Sequence, residues 1–194
     1  SYAFAGCATA SGNKFAVEIP ASLTEIGYGA FYGCTGITGF WVDNGNSVFS
    51  SADGVLYSDG GKTLEMFPTA SSAINDGTFT VPSGVEKIGG GAFAGSEIEK
   101  LIISEGVKEI GGNAFYSCKK LTEVTLPESL SSLGSYAFLD CTSLVSVKIP
   151  ENTKTIGSFV FRGCLKLETV KLPSSMTEIP IGMFDSCVEM KKIE

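Results

Sequence analysis

Six cysteines are the residues here best suited to chemistry, and their spacing determines which chemistry is open to them. Cys7, Cys34, Cys118, Cys141, Cys164 and Cys187 each lie three residues after a phenylalanine, and Phe115, Phe138, Phe161 and Phe184 are 23 residues apart. A zinc site needs ligands clustered as in C-x-x-C, whereas this spacing supplies a line of single thiols. The chain has no histidine, so a Cys–His nucleophile pair is impossible and the commonest general base and metal ligand is missing. Asp53 and Asp59 flank a turn-rich stretch and raise calcium binding. They lack the D-x-[DN]-x-[DN]-G loop, and turn formation is the favoured reading. No carboxylate pair stands out for glycoside chemistry. No catalytic, cofactor-binding or metal-ligating residue is assigned.

The cysteines belong to a larger unit. Ile110 to Leu130 reads IGGNAFYSCKKLTEVTLPESL, and the pattern returns as LGSYAFLDCTSLVSVKIPENT from Leu133 and IGSFVFRGCLKLETVKLPSSM from Ile156. Phe93 precedes Phe115 by 22 residues and Phe4 precedes Phe31 by 27. A period of roughly 20–29 residues with leucine-type positions predicts a leucine-rich-repeat solenoid, an α/β fold in which each rung touches only its neighbours. Leu121-x-x-Val124-x-Leu126 alternates as a short half-buried strand, and Pro127 ends it because proline cannot donate to a ladder. Leu130 and Leu133 then point inward along a second extended stretch, and Gly134 permits a tight turn. Tyr136 to Cys141 is expected to form a single helical turn with Ala137, Phe138 and Cys141 docked inward. Equivalent cysteines on stacked rungs would sit about 5 Å apart at Cα, within disulfide range, but project in parallel, so their Cβ atoms would not converge to roughly 3.8 Å. The expectation is a ladder of buried free thiols.

Three irregularities interrupt the register. Four extra residues around Ser11-Gly12-Asn13 suggest a surface loop, and one residue is missing between Ser96 and Ile98. The largest is an insert over 43–77 containing Asp53-Gly54 before Val55-Leu56-Tyr57, a β-hairpin signal. Regular rungs are expected over 1–42 and 78–194, giving one solenoid over 1–194 with about eight rungs. The chain begins and stops within a unit and shows no polar capping repeat. This is read as a fragment of a longer protein, whose uncapped ends make end-to-end self-association possible.

The motif I-G-x-x-A-F-x-x-C-x-x-L-x-x-V-x-L-P with its embedded D-G-V-L-Y resembles the BspA-like (treponemal-type) leucine-rich repeats, over essentially the whole chain. The resemblance implies a curved right-handed solenoid, a parallel sheet on the concave face and short helical turns on the other side. It also implies a cell-surface or secreted protein of a host-associated bacterium or protist. Several family members are adhesins, and the family has no catalytic residues to carry over. Ser96 for cysteine, Pro180 for the glycine after isoleucine, and Ser104 and Asp43 for the strand-ending proline depart from the motif.

Net charge of −7 argues against a nucleic-acid partner. No apolar run approaches about 18 residues, so this segment is not expected to insert into a membrane. The informative surface is the outward side of the strands. One column reads Glu18, Trp41, Thr80, Ile102, Thr125, Lys148, Lys171 and Glu194; the other reads Ala16, Gly39, Thr78, Lys100, Glu123, Ser146, Thr169 and Lys192. Trp41, Thr80, Lys100, Ile102, Glu123, Thr125, Lys148, Thr169, Lys171 and Lys192 form the candidate ligand face. Trp41, the single tryptophan, is a candidate anchor, but the neighbouring insert would cover it, and covering is the favoured reading. Lys148, Lys171 and Lys192 read either as a solvated stripe, the favoured reading, or as an anion-binding one. Glu105, Glu128 and Glu151 read as an acidic rim. The function expected is a non-enzymatic protein-binding module adhering to a host or neighbouring-cell surface or matrix protein, or a glycan. The alternative is a structural spacer displaying other domains. Thiol titration after denaturation without reductant should count six free thiols; a shortfall of two or more would contradict the ladder.

Overall fold

Short strands form where apolar residues recur at alternating positions, as at Val147 and Ile149, and turns join them. The computed structural model describes residues 14–27, 29–31 and 33–194; the expected loop around Ser11-Gly12-Asn13, together with Phe4 and Cys7, lies outside them. In chain order the strands begin with β1 (Phe15–Ile19) and β2 (Ile37–Val42), then β3 (Phe49–Ala52), β4 (Val55–Ser58) and β5 (Thr63–Met66). From there long and short strands alternate: β6 (Thr78–Thr80), β7 (Lys87–Ile88), β8 (Lys100–Ile102), β9 (Glu109–Ile110), β10 (Glu123–Thr125), β11 (Ser132–Leu133), β12 (Ser146–Lys148), β13 (Thr155–Ile156), β14 (Thr169–Lys171) and β15 (Lys192–Ile193). The even strands from β6 to β14, with β15, pair in parallel into one sheet. The two-residue strands β7, β9, β11 and β13 pair into a second parallel sheet extended by β5, β4 and β3, while β1 and β2 form a separate pair. The molecule is a parallel β-solenoid of about eight turns.

The third side of each rung differs from the expected helical turn. The described residues contain no α-helix, and one short 3-10 turn at Asp59–Gly61 is the only helical element among them. The physical reason lies two residues either side of each marker phenylalanine. Gly91 and Gly95, Asn113 and Ser117, Tyr136 and Asp140, and Phe159 and Gly163 all have positive φ. Two left-handed residues per turn forbid a continuous right-handed helix. They also aim alternate N–H groups along the stack: Asn113, Phe115 and Ser117 donate to Ser135, Ala137 and Leu139 of the next rung at 3.0, 2.8 and 2.8 Å. The marker rings, buried except for the partly buried Phe184, follow the same line. Phe93, Phe115, Phe138, Phe161 and Phe184 lie 4.8 to 6.0 Å apart, centroid to centroid.

Gly134 also has a different role from the tight turn expected of it, since its φ is not positive. A Cβ there would lie 2.5 Å from Gly112 N and 2.6 Å from the Gly111 carbonyl carbon. Glycine is needed because neighbouring rungs' backbones touch. Gly111 repeats the constraint against Gly90 at 2.6 Å. The thiols fit the same spacing. Cys118, Cys141, Cys164 and Cys187 are free, and each donates to the carbonyl of the preceding rung's phenylalanine at 3.1 Å. Burial pushes the Cys187 thiol up to about 11 and raises Cys141 and Cys164 as well.

The departures from the motif have local consequences. Buried Ser96 meets Cys118 Sγ at 3.4 Å, and Ser104 Oγ donates to the Val81 carbonyl at 2.5 Å. Pro180 acts over a wider range. Gly89, Gly111, Gly134 and Gly157 all donate their N–H to the preceding rung; proline has none to give. The second sheet accordingly ends at β13.

The 43–77 stretch builds more than a hairpin. β3 and β4 are antiparallel across Asp53-Gly54. β4 then pairs antiparallel with β5, and β5 pairs in parallel with β7. Phe67 follows β5, donates its N–H to the Ala92 carbonyl at 2.7 Å, and stacks on Phe93 at 4.9 Å. Residues 63–67 therefore rebuild half a rung, with its second-sheet strand and its phenylalanine but no strand in the first sheet. β4 is buried throughout: Val55 and Tyr57 pack in the main core, and Leu56 packs with Phe40 and Phe49 in the smaller core of the first rungs.

Gly134→Ala is expected to destabilise the protein by ~1–3 kcal/mol through backbone overpacking, and Gly91→Asn by much less, since Gly91 is left-handed with open space at Cβ and Asn113 occupies the equivalent left-handed position. Denaturant midpoints compare the two; equal losses would contradict the close-approach account.

Candidate functional site: a break in the strand face

The missing half-rung opens the first sheet between β2 and β6. Backbone contacts seal part of the gap. Phe40 N–H donates to the Gly54 carbonyl at 2.8 Å, and Ala70 N–H donates to the Ile37 carbonyl at 2.8 Å. The hairpin tip reaches this close because two glycines face each other: a Cβ on Gly39 would lie 3.2 Å from Gly54 Cα. Gly39, expected to face outward beside Trp41, is buried. Only a residue without a side chain lets the tip in.

Trp41 itself is not covered, contrary to the favoured reading. The residue is 60% exposed because the insert docks over Gly39, two residues before it. A cleft of about 670 Å³ opens on one side of the indole, with Asp53, Val55, Tyr57, Asn75, Thr78 and Thr80 among its lining. A shallower depression of about 540 Å³ on the other side is lined by Glu18, Ile19, Pro20, Val42 and Asp43. Burial, assisted by the nearby Asp53 charge, pushes the Tyr57 phenol up to about 12, so it stays protonated and neutral at physiological pH.

The remaining candidates form a regular surface beyond the cleft. Thr80 pairs in register with Ile102, and Ile102 with Thr125. Ile102 is 43% exposed and extends apolar surface from the cleft wall. Lys100 pairs in register with Glu123 and forms an ion pair with it at 3.5 Å. Lys148 and Lys171 are register partners, as are Thr169 and Lys192. Lys148 pairs with Glu128 at 2.7 Å and Lys192 with Glu194 at 2.7 Å. An anion-binding stripe is correspondingly weakened, because two of its three lysines already hold carboxylates.

The acidic rim caps the stack. Glu105 accepts the backbone N–H groups of Glu128 and Ser129 at 2.9 and 3.2 Å. Glu151 accepts the Ser174 N–H and hydroxyl at 2.7 and 2.8 Å. These hydrogen bonds, the Glu128 and Ser174 amides foremost, hold both carboxyls below the ordinary range. The Lys108 ammonium and then Lys62 do the same for Glu86. Asp53 and Asp59 both have positive φ at turns, and Asp59 accepts the Thr63 hydroxyl at 2.8 Å. No group of metal-ligating side chains occurs among the described residues.

A carboxyl whose folded-state pKa is depressed stabilises the fold above its unfolded value and loses that contribution as pH falls through the folded one. Thermal stability should therefore hold from pH 7 down to about 4.5, the ordinary glutamate value, and fall below it. Glu105→Gln with Glu151→Gln should shrink that acid-side loss. A denaturation series from pH 7 to 3 measures it; an unchanged slope in the double variant would contradict rim capping.

Sequence reading reached Trp41 but missed Asp53 and Asn75 as cleft walls. The missed signal was Phe67, a marker phenylalanine without its A-F-x-x-C context, which betrays the half-rung.

The repeats match a family model described as a BspA type leucine rich repeat region, in six copies over residues 1–58 and 67–191. Comparison with curated proteins finds no match. Among solved structures, the pneumococcal vaccine antigen PcpA superposes with a TM-score of 0.83 at 29% identity, over 92% of this chain and 44% of that one. A leucine rich cell surface protein of Faecalibacterium prausnitzii gives 0.83 at 31%, over 92% and 47%. A leucine rich repeat protein of T. pallidum gives 0.58 at 26%, over 93% and 71%. The chain thus spans less than half the length of the first two. Six in-register copies over nearly the whole sequence place this chain in the BspA-type leucine-rich repeat family.

Proposed function

We propose that the chain is a non-enzymatic protein-binding module of a bacterial cell-surface or secreted protein, adhering to a host or neighbouring-cell ligand through its strand face. The observation that carries this is Trp41, an exposed indole standing beside a cleft on a face whose lysines are largely paired. Aromatic anchors beside pockets carry a disproportionate share of binding energy. The surface location draws support from two structural relatives, a vaccine antigen and a cell surface protein. The spacer alternative draws on the same ion pairs, since a self-neutralised face needs no partner.

A binding screen against matrix proteins and glycans separates the two. Trp41→Ala should weaken the strongest interaction at least tenfold, in line with ~1.4 kcal/mol, without changing thermal stability. Lys148→Glu with Lys171→Glu should change it much less. Binding indifferent to Trp41, or none across the panel, would favour the spacer. Exposed Ile181 and Val188 on the last rung offer an apolar surface for self-association, so the screen is read where sedimentation shows a monomer.

A further inference from the structure

The surroundings of Trp41 specify more than an interaction face. Asp53 lies in the cleft on one side of the indole. Glu18, the register partner of Trp41 on β1, and Asp43 lie in the depression on the other. No lysine or arginine lines either one. Asp43 already gives one oxygen to the Gly45 N–H. Neither Glu18 nor Asp53 makes an ion pair or a side-chain hydrogen bond among the described residues.

The far wall adds an independent feature. Val81 N–H donates to the Ile102 carbonyl across β6 and β8 at 2.9 Å. Backbone groups alternate sides along a strand, so those of Thr80 face the cleft. Thr78, the other cleft-facing residue, is already bridged to Asn75; Thr80 has no backbone partner on that side among the described residues. Proline at 82 can donate nothing there. The cleft therefore offers one open strand position opposite an indole bracketed by carboxylates.

We infer that this cleft takes an arginine or lysine side chain of an extended partner polypeptide, the cation lying on the Trp41 ring against Asp53 while the partner's backbone meets Thr80. The inference rests on the interaction-face reading above and names its ligand class. A cation on an aromatic face is attracted by the ring quadrupole, and an extended segment can add to an open strand edge. Anionic partners would meet carboxylates and no countercharge here. A neutral sugar would stack on the indole without drawing on the charge.

Trp41 is the single tryptophan of the chain, so its emission reports this site. The test titrates the whole chain in 150 mM salt, about physiological ionic strength, with an end-blocked peptide alternating arginine and threonine. Parallel titrations use the same peptide with citrulline for arginine, and a neutral maltooligosaccharide. The arginine peptide should change the emission saturably. Asp53→Asn, a residue that keeps the left-handed turn, should weaken it about fivefold, ~1 kcal/mol. Anisotropy of a labelled peptide should show a similar or larger loss for Trp41→Ala, whose exposed side chain leaves the core untouched. Equal response to the citrulline peptide, response to the sugar instead, or none to arginine would overturn the inference. If arginine fails while a matrix protein still binds through Trp41, the interaction face stands and the ligand class falls; if binding to the matrix panel ignores Trp41, both fall.

Discussion

The structure depends on how closely one rung's backbone can approach the next. Each turn sends alternate N–H groups along the stack axis, from Asn113, Phe115 and Ser117 to the rung that follows. Those bonds require left-handed residues either side of the phenylalanine and a glycine after the isoleucine. Even aromatic residues accept the unfavourable conformation. Tyr136 and Phe159 both have positive φ, and their outward rings stack 5.1 Å apart at 3°. A bulky residue persists in such a state only where its surroundings over-determine it, and here the ladder and the stacked neighbour do so.

The cleft is what that constraint produces when half a rung is missing. β5 and Phe67 satisfy the second sheet and the ring stack, so the core continues through the insert. The first sheet receives no strand. Its gap is closed only where Gly39 and Gly54 let two backbones meet. Beside that contact Trp41 and Thr80 stay uncovered. β4 ties the arrangement to both cores, with Val55 and Tyr57 on one side and Leu56 on the other, so the walls of the cleft are held by buried residues.

Most of the architecture was legible because its signals are periodic. The phenylalanine spacing and the Leu-x-x-Val-x-Leu alternation point to rungs and to outward columns without reference to anything distant. The helical turn was misread because left-handed serine, tyrosine and aspartate look ordinary in a sequence; only the inter-rung bonds that recruit them reveal the conformation. Gly134 was read as a turn residue for the same reason, since close approach to Gly112 is not a local property. Trp41 was expected to be covered because the insert is adjacent in sequence. Its docking point depends on two glycines 15 residues apart, and no single-residue pattern encodes that meeting.

Native-state hydrogen exchange at Thr80 reads the break in the strand face at a single amide. Thr80 N–H faces an open cleft, whereas the flanking Val81 N–H is bonded to Ile102. Thr80 should exchange orders of magnitude faster than Val81 and the stacked amides of Phe93, Phe115 and Phe138. Protection at Thr80 equal to that of Val81 would mean the strand face is closed between β2 and β6, and the site described here would not exist.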